Sequence, residues 1–236
     1  RWFADRFGTA RASIEGTTIP HEMVRRYATE SAPEVVISGT RSSRGFSLSR
    51  RESYFGFDLA TRLEPIRGEV PGEHREAARE LLVDGLLSGE LEHPSRPRLQ
   101  RAITRLREYW ARSGGALSSA SDAAIRELLL AQLGDVASWQ DFIDTPLKLD
   151  VDAMVGESER EHLDALPASV RVFGDMVPVE YRVFPAGPVA RLLLREGQLR
   201  RLRESDLPEF DRPLYFAIGR GAQEVEAPTL ERLREL

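Results

Sequence analysis

"LPASVRVFGDMVPVEYRVF", residues 166–184, is where the sequence changes from helical to strand pattern. Pro167 cannot donate a helical hydrogen bond and biases Leu166 away from helical backbone, so a helix should stop there. Beyond it, "SVRVFG" and "VPVEYRVF" are β-branched and aromatic, with Gly174-Asp175 between them as a candidate hairpin turn. Strands following a helical region make the fold class α+β, and the rest of the chain is read outward from this joint.

Upstream, helical period dominates residues 69–166. In "HREAARELLVDGLLSGEL" the apolar positions Ala77, Ala78, Leu81, Leu82 and Leu86 recur at three and four, and Gly89 is a stop. In "PRLQRAITRLREYWARSGG" a step of 100° per residue gathers Leu99, Ala102, Ile103, Leu106, Tyr109 and Trp110 on one face. Gly114-Gly115 ends that helix. Ser121 is placed to cap "DAAIRELLLAQLG", with Ile125, Leu128, Leu129 and Leu133 inward and Gly134 at the position following the helix. Ser138 with Asp141 resembles a cap for "SWQDFID", and short helices are expected over 150–155 and 157–166. The centre of the chain is therefore a helical bundle.

Small β units flank it. "EVVISG", "GFSLS" and "SYFGFDLATRLE" define one over residues 34–68, closed by the boundary "IRGEVPG". Residues 1–33 read as helix in two pieces, anchored by Phe3, Phe7, Met23, Val24 and Tyr27 and punctuated by Gly16 and Pro20. In the last segment, 167–236, "PVARLLLREGQLRRLRESDLP" fits a helix interrupted at Gly197 or a hairpin turning at "REGQ", with helix the favoured reading. "PLYFAIGRG" reads as a strand, and "APTLERLREL" starts a helix near Pro228.

Composition bounds the chemistry. The 236 residues contain no cysteine, which excludes disulfides, thiolate nucleophiles and Cys-ligated zinc. No run approaches the roughly 20 apolar residues of a membrane helix, and the first residues lack a signal-peptide pattern, so a soluble, cytoplasmic protein is expected. A start at Arg1 and a stop at Leu236 inside a helical pattern lead us to expect a fragment. The formal net charge of −5 argues against indiscriminate coating of DNA and leaves only local patches for nucleic acid. Lys148 is the only lysine, consistent with a GC-rich genome, yet arginine is also the better fork for phosphate oxygens.

"ISGTRSSRGFSLSRR", residues 37–51, is such a patch. Arg41, Arg44, Arg50 and Arg51 stand without an acidic residue among them, and Ser42, Ser43 and the flanking glycines add hydroxyl and backbone donors. Phosphate binding fits, and so does a solvated loop whose arginines pair with nearby glutamates. A second candidate is the helical stripe Arg98, Arg101, Arg105 and Arg112, whose stems equally suit covering the edge of a core. Tyr54, Phe55, Phe57 and Tyr181 suit stacking on bases or packing in a core.

A catalytic constellation does not emerge. The phosphate-binding G-x-x-x-x-G-K-[ST] loop, the dinucleotide G-x-G-x-x-G loop and the G-x-S-x-G elbow are all missing from the sequence. His21, His74, His93 and His162 are scattered, without metal-ligand spacing. Acidic pairs such as Glu157-Glu159 and Glu204-Asp206 are too common here to assign. No catalytic residue, metal or cofactor is therefore expected in this chain.

From Leu81 onward the order "LLVDGLLSGEL", "RLQRAITRLREYW", "DAAIRELLLAQLGDVASWQDFIDTPLKLDVDAMV" and "REHLDALPASVRVFGDMVPVEYR" resembles the region C-terminal to the ATPase core in bacterial DEAH-box RNA helicases of the HrpB and HrpA kind. The likeness covers about residues 80–182. Leu166, Pro167, Val170 to Phe173, Gly174, Glu180 and Tyr181 match the family's passage from helix through strand and turn to a second strand. Ala168-Ser169 and Phe173-Gly174-Asp175 depart from its usual Thr and Pro-Ser-Gly turn, and no Pro-Trp precedes the last helix.

The resemblance implies a ratchet-like bundle plus a small β-barrel or sheet, with both motor domains absent. It also implies partners: single-stranded RNA or DNA and the helicase motor domains of a parent chain that would itself bind ATP and Mg and act as the hydrolase. The expected function is a non-catalytic, strand-guiding region of such a helicase. The alternative is a docking module without direct RNA contact.

Overall fold

A computed structural model describes residues 2–4, 10–12, 20–40, 43–220 and 223–236. The chain is α+β and divides into two compact units, Arg1–Ala78 with Ala137–Trp139, and Arg79–Val136 with Gln140–Leu236.

In the first unit, β1 (Trp2–Ala4) pairs antiparallel with β2 (Ala10–Ala12), followed by the short helix α1 (His21–Arg25). The expected all-helical segment over 1–33 is thus corrected. Phe3 and Phe7, four apart, suggest a helical face, but a three-residue strand satisfies its backbone by pairing and needs no helical period. β3 (Thr29–Glu30), β4 (Glu34–Ser38), β5 (Gly45–Tyr54) and β6 (Phe57–Pro65) form an antiparallel sheet in which β5 is central, flanked by β4 and β3 on one side and β6 on the other. Val35 and Phe46 are buried in this sheet, and the Phe46 ring meets Trp139 edge-on, with centroids 5.6 Å apart.

Next come α2 (Arg75–Ser88), α3 (Arg96–Arg112), α4 (Asp122–Gln132), α5 (Trp139–Asp144), α6 (Val151–Met154) and α7 (Glu157–Asp164). The stripe read for α3 is present, with Leu99, Ile103, Leu106 and Tyr109 buried. Ser121 Oγ accepts from the Ala124 N–H and caps α4 as expected. Gly134 directly follows the C-cap Leu133, the position read for it, though not at positive φ, and its carbonyl accepts from Arg79 Nη1 at 2.6 Å.

His93 is buried in the second unit. Its Nε2 lies 2.9 Å from the Phe142 carbonyl, and its Nδ1 accepts from the Ser95 N–H at 3.0 Å, so the neutral ring with hydrogen on Nε2 satisfies both contacts. Burial lowers its pKa, against smaller opposing effects from the Phe142 and Thr145 backbone. The unfolded chain then takes up this proton first, near pH ~6.5, as pH falls. Stability should be flat in this residue above that pH and decline below it until the folded-state pKa is passed. Urea midpoints measured across that window should show the decline, and His93→Gln should lack this contribution; equal slopes in the two proteins would refute the assignment.

β7 (Ser169–Val172), β8 (Asp175–Phe184), β9 (Gly187–Leu194), β10 (Leu214–Arg220) and β11 (Gln223–Ala227) form a five-stranded sheet in the order β11-β10-β9-β8-β7. It is an open sheet among the described residues. The β7–β8 turn is Phe173-Gly174, both at positive φ, one residue earlier than the turn read from sequence. "GPVARLLL" is strand β9, and helix begins only after it, with α8 (Glu196–Arg201), so the helix favoured there is corrected. The β9 run, apolar from Val189 to Leu194 except for Arg191, belongs to a strand that pairs on both edges and is buried on both faces. One sheet face packs Val179, Tyr181, Leu192, Phe216 and Ile218 with Leu199 and Leu202 near α8, and with Leu230 and Leu233 of α9 (Leu230–Glu235).

Candidate nucleic-acid interface

The β5–β6 hairpin brings together residues of the expected patch. Its two-residue turn, Phe55-Gly56, has φ of 47° and 81°, the doubly left-handed arrangement that matches the twist of the flanking strands. Tyr54 pairs with Phe57 across the turn. The ring of Phe55 meets Tyr54 edge-on at 4.8 Å, yet Phe55 is 87% and Phe57 74% exposed. These aromatics are therefore at a tip and not in a core.

Farther down the hairpin, Arg50 stands directly opposite Arg62. Like charges directly opposed on one face repel, and neither arginine has an ion-pair partner among the described residues. A register shift between Glu52 and Ser53 twists the ribbon between this pair and the tip. Glu52, on the same face by alternation, is compensated by Arg25 at 3.3 Å. From Arg50 to Tyr54 the strand runs about 14 Å, with cations at one end and aromatic rings at the other.

The remaining expected residues are distributed differently. Arg41 and Ser42 lie outside the described residues. Ser43 spends its hydroxyl on Thr40, 2.8 Å from Oγ1, and Arg44 is half-buried and engaged. Arg51 points to the opposite face from Arg50 and pairs with Glu34 at 3.3 Å, so it is not bare. In the second unit, Arg98 is exposed with no ion-pair partner among the described residues, and Arg101 bonds the Pro97 carbonyl of its own helix at 3.1 Å. Arg105 is neutralised by Asp164 at 2.5 Å and Glu108 at 3.0 Å, and lies 4.3 Å from the Tyr109 ring centre. Burial, reinforced by the hydrogen bond to Asp164, raises the Tyr109 pKa. Arg112 is buried. Tyr181 is core, its hydroxyl donating to the Pro167 carbonyl at 2.9 Å.

Arg62 was missed from sequence: counting register straight through the Phe55-Gly56 turn sets Thr61 opposite Arg50, and the shift between Glu52 and Ser53 brings Arg62 there instead. Arg191, the most deeply buried cation described, carries no local signal either. Among the described residues no group of His, Asp or Glu is arranged to hold a metal, and no helix is long and apolar enough to cross a membrane.

No family model and no curated protein matches the chain. Among solved structures it is similar to the E. coli DExH-box NTPase HrpB, with 15% identity and a TM-score of 0.32 over 91% of this chain and 26% of that one. It is also similar to the Escherichia coli DEAH/RHA helicase HrpB, with 17% identity and a TM-score of 0.30 over 80% of this chain and 24% of that one. The likeness is to part of a helicase. The chain spans about a quarter of the length of these structures.

Proposed function

We propose that this chain is a non-catalytic accessory region of a helicase that holds a single strand of nucleic acid on the β5–β6 hairpin, beside motor domains that bind ATP and Mg. The observation that carries the reading is the exposed Phe55 and Phe57 tip above the unpaired Arg50–Arg62 couple. Both features are costly in isolation: two cations repel, and two large rings face water. A strand supplies the missing complement to each, phosphates between the arginines and unpaired bases against the rings. Stacking on rings is tolerant of sequence, so general rather than sequence-specific binding is expected.

Fluorescence anisotropy with a short single-stranded RNA over a salt series tests this. Phe55→Ser or Phe57→Ser should each weaken binding about tenfold at fixed salt. Arg50→Ala with Arg62→Ala should also flatten the salt dependence, by about 0.7 in log-log slope per lost phosphate contact. Absence of binding at low salt, or binding indifferent to all four changes, would sink the proposal. The second reading, docking onto a protein, is favoured by further exposed apolar residues of the same unit, Met23, Tyr27 and Leu63. It predicts capture of helicase motor domains that is lost with the aromatic tip and hardly depends on salt.

A further inference from the structure

Two hairpins of the chain turn on the same pair of residues. Phe55-Gly56 joins β5 to β6, and Phe173-Gly174 joins β7 to β8 in the second unit, between the paired residues Val172 and Asp175. In each turn the phenylalanine is itself left-handed, at φ of 47° and 51°, and no other residue except glycine has positive φ among those described. A two-residue turn of this hand ordinarily takes asparagine, aspartate or glycine first, because a bulky side chain is strained there. Phe173 is also 49% exposed, and Met176 near it on β8 is exposed as well. Backbone strain and apolar exposure both weaken the fold, so the ring is not there for the sake of the turn.

The surroundings of Phe173 are cationic. The guanidinium carbon of Arg201, from α8, lies 4.8 Å from the ring centre, so one face of the ring is covered and its exposure belongs to the other face and the edge. A guanidinium stacked in this way keeps its in-plane N–H groups for an acceptor. Among the described residues Arg201 has no acidic partner, and only its Nε is engaged, with the Gly197 carbonyl of its own helix at 3.4 Å. Arg171, directly opposite Met176 and exposed, has no acidic partner among them either. The Arg195 side chain is 82% exposed and held only at 3.6 Å by Asp175 Oδ2, an oxygen that already accepts from Gln198 Nε2 at 3.2 Å. Glu196 is taken by Arg200 at 2.7 Å. Three arginines thus stand against one carboxylate around an open aromatic ring.

We propose that the Phe173-Gly174 tip is a second contact for single-stranded nucleic acid. An unpaired base stacks on the face of Phe173 away from Arg201, and the flanking phosphates meet Arg201 and Arg195. An apolar protein surface would complement the ring but leave these cations unmatched, whereas a strand supplies both a π-face and negative charge. Naming nucleic acid as the ligand rests on the function proposed above, but the tip belongs to different strands and to the other unit.

The test follows the ring resonances of Phe173 in the intact chain, identified by their loss in Phe173→Asn, as a short single-stranded RNA is added. Saturable shifts are expected in the wild-type chain and, at higher RNA concentration, in the chain carrying Phe55→Ser and Phe57→Ser. Phe173→Asn should weaken RNA binding about tenfold and at the same time raise the urea midpoint, because asparagine suits the left-handed position that phenylalanine strains. Arg201→Gln should flatten the salt dependence by about 0.7 in log-log slope. Unchanged affinity in Phe173→Asn, or ring resonances unmoved while RNA binds, overturns the second contact and leaves the β5–β6 hairpin standing. Absence of RNA binding altogether overturns both. If Phe173→Asn lowers stability and affinity together, the ring shifts of the wild-type chain decide between a contact and an indirect loss. A base-free polyphosphate that moves the ring as far as RNA does would reduce the site to charge attraction and overturn the stack.

Discussion

Replacing Arg191 with methionine is expected to lower the unfolding free energy of the chain by about 3 kcal/mol. Arg191 lies on β9 with 1% of its side chain exposed and faces three glutamates. Nη1 donates to Glu180 on β8 at 2.6 Å, Nε to Glu226 on β11 at 3.1 Å, and Nη2 to Glu224 on β11. Reaching β11 means crossing β10, and the register puts Ala217 and Gly219 opposite Glu226 and Glu224, so the side chain passes over small residues. Without it, Arg182, 3.1 Å from Glu180 and 3.5 Å from Glu226, is left to offset three carboxylates. Those glutamates are partly exposed, so water relieves some of the repulsion and the loss stays below the largest values known for stranded buried charges. Urea denaturation provides the measurement. Adding Glu224→Gln and Glu226→Gln to Arg191→Met should recover much of the loss, because no like charges then remain to repel. A single variant as stable as the wild type would show that the cluster contributes nothing to the fold.

The same sheet shows what the sequence made legible and what it did not. The joint at Pro167, the α3 stripe and the Ser121 cap could be read because each is local: a breaker, a period and a hydroxyl one turn from its N–H. β9 could not, since "VARLLL" has no alternation to distinguish a strand buried on both faces from a helix. Arg191 sits inside that run, and its glutamates are 11, 33 and 35 residues away in sequence. Only strand order brings them together. The patch at 37–51 shows the opposite failure. No acid lies between its arginines, yet the β4–β5 pairing brings Glu34 to Arg51, while the Phe55-Gly56 turn and the register shift beyond it set Arg62, from outside the patch, beside Arg50. Local charge composition therefore identified a region of interest, and cross-strand register decided which of its members remain unpaired.

Arg112→Met is expected to destabilise the chain by about 2–3 kcal/mol and to loosen the end of α7 ahead of the rest of its unit. The last carbonyls of a helix have no partners within it. Here Arg112 supplies them from α3, bonding Leu163 inside α7 and Leu166 just beyond, 51 and 54 residues away in sequence. The cation also lies at the negative end of the α7 dipole, which favours a positive charge. Methionine keeps most of the stem's packing but leaves the Leu163 carbonyl with only its backbone donors, the Leu166 N–H at 3.3 Å among them, takes the Arg112 donor from the Leu166 carbonyl, and leaves Glu108 without the guanidinium that holds it at 3.0 Å. Glu108 also contacts Arg105 at 3.0 Å and is partly exposed, so the larger share of the cost falls on the carbonyls. Amide hydrogen exchange resolves that split. Protection should fall first over the last turn of α7 and the start of β7, with α4 little changed below global unfolding. Uniform loss of protection throughout the second unit would instead make Arg112 a general core residue, with no particular role at the helix end.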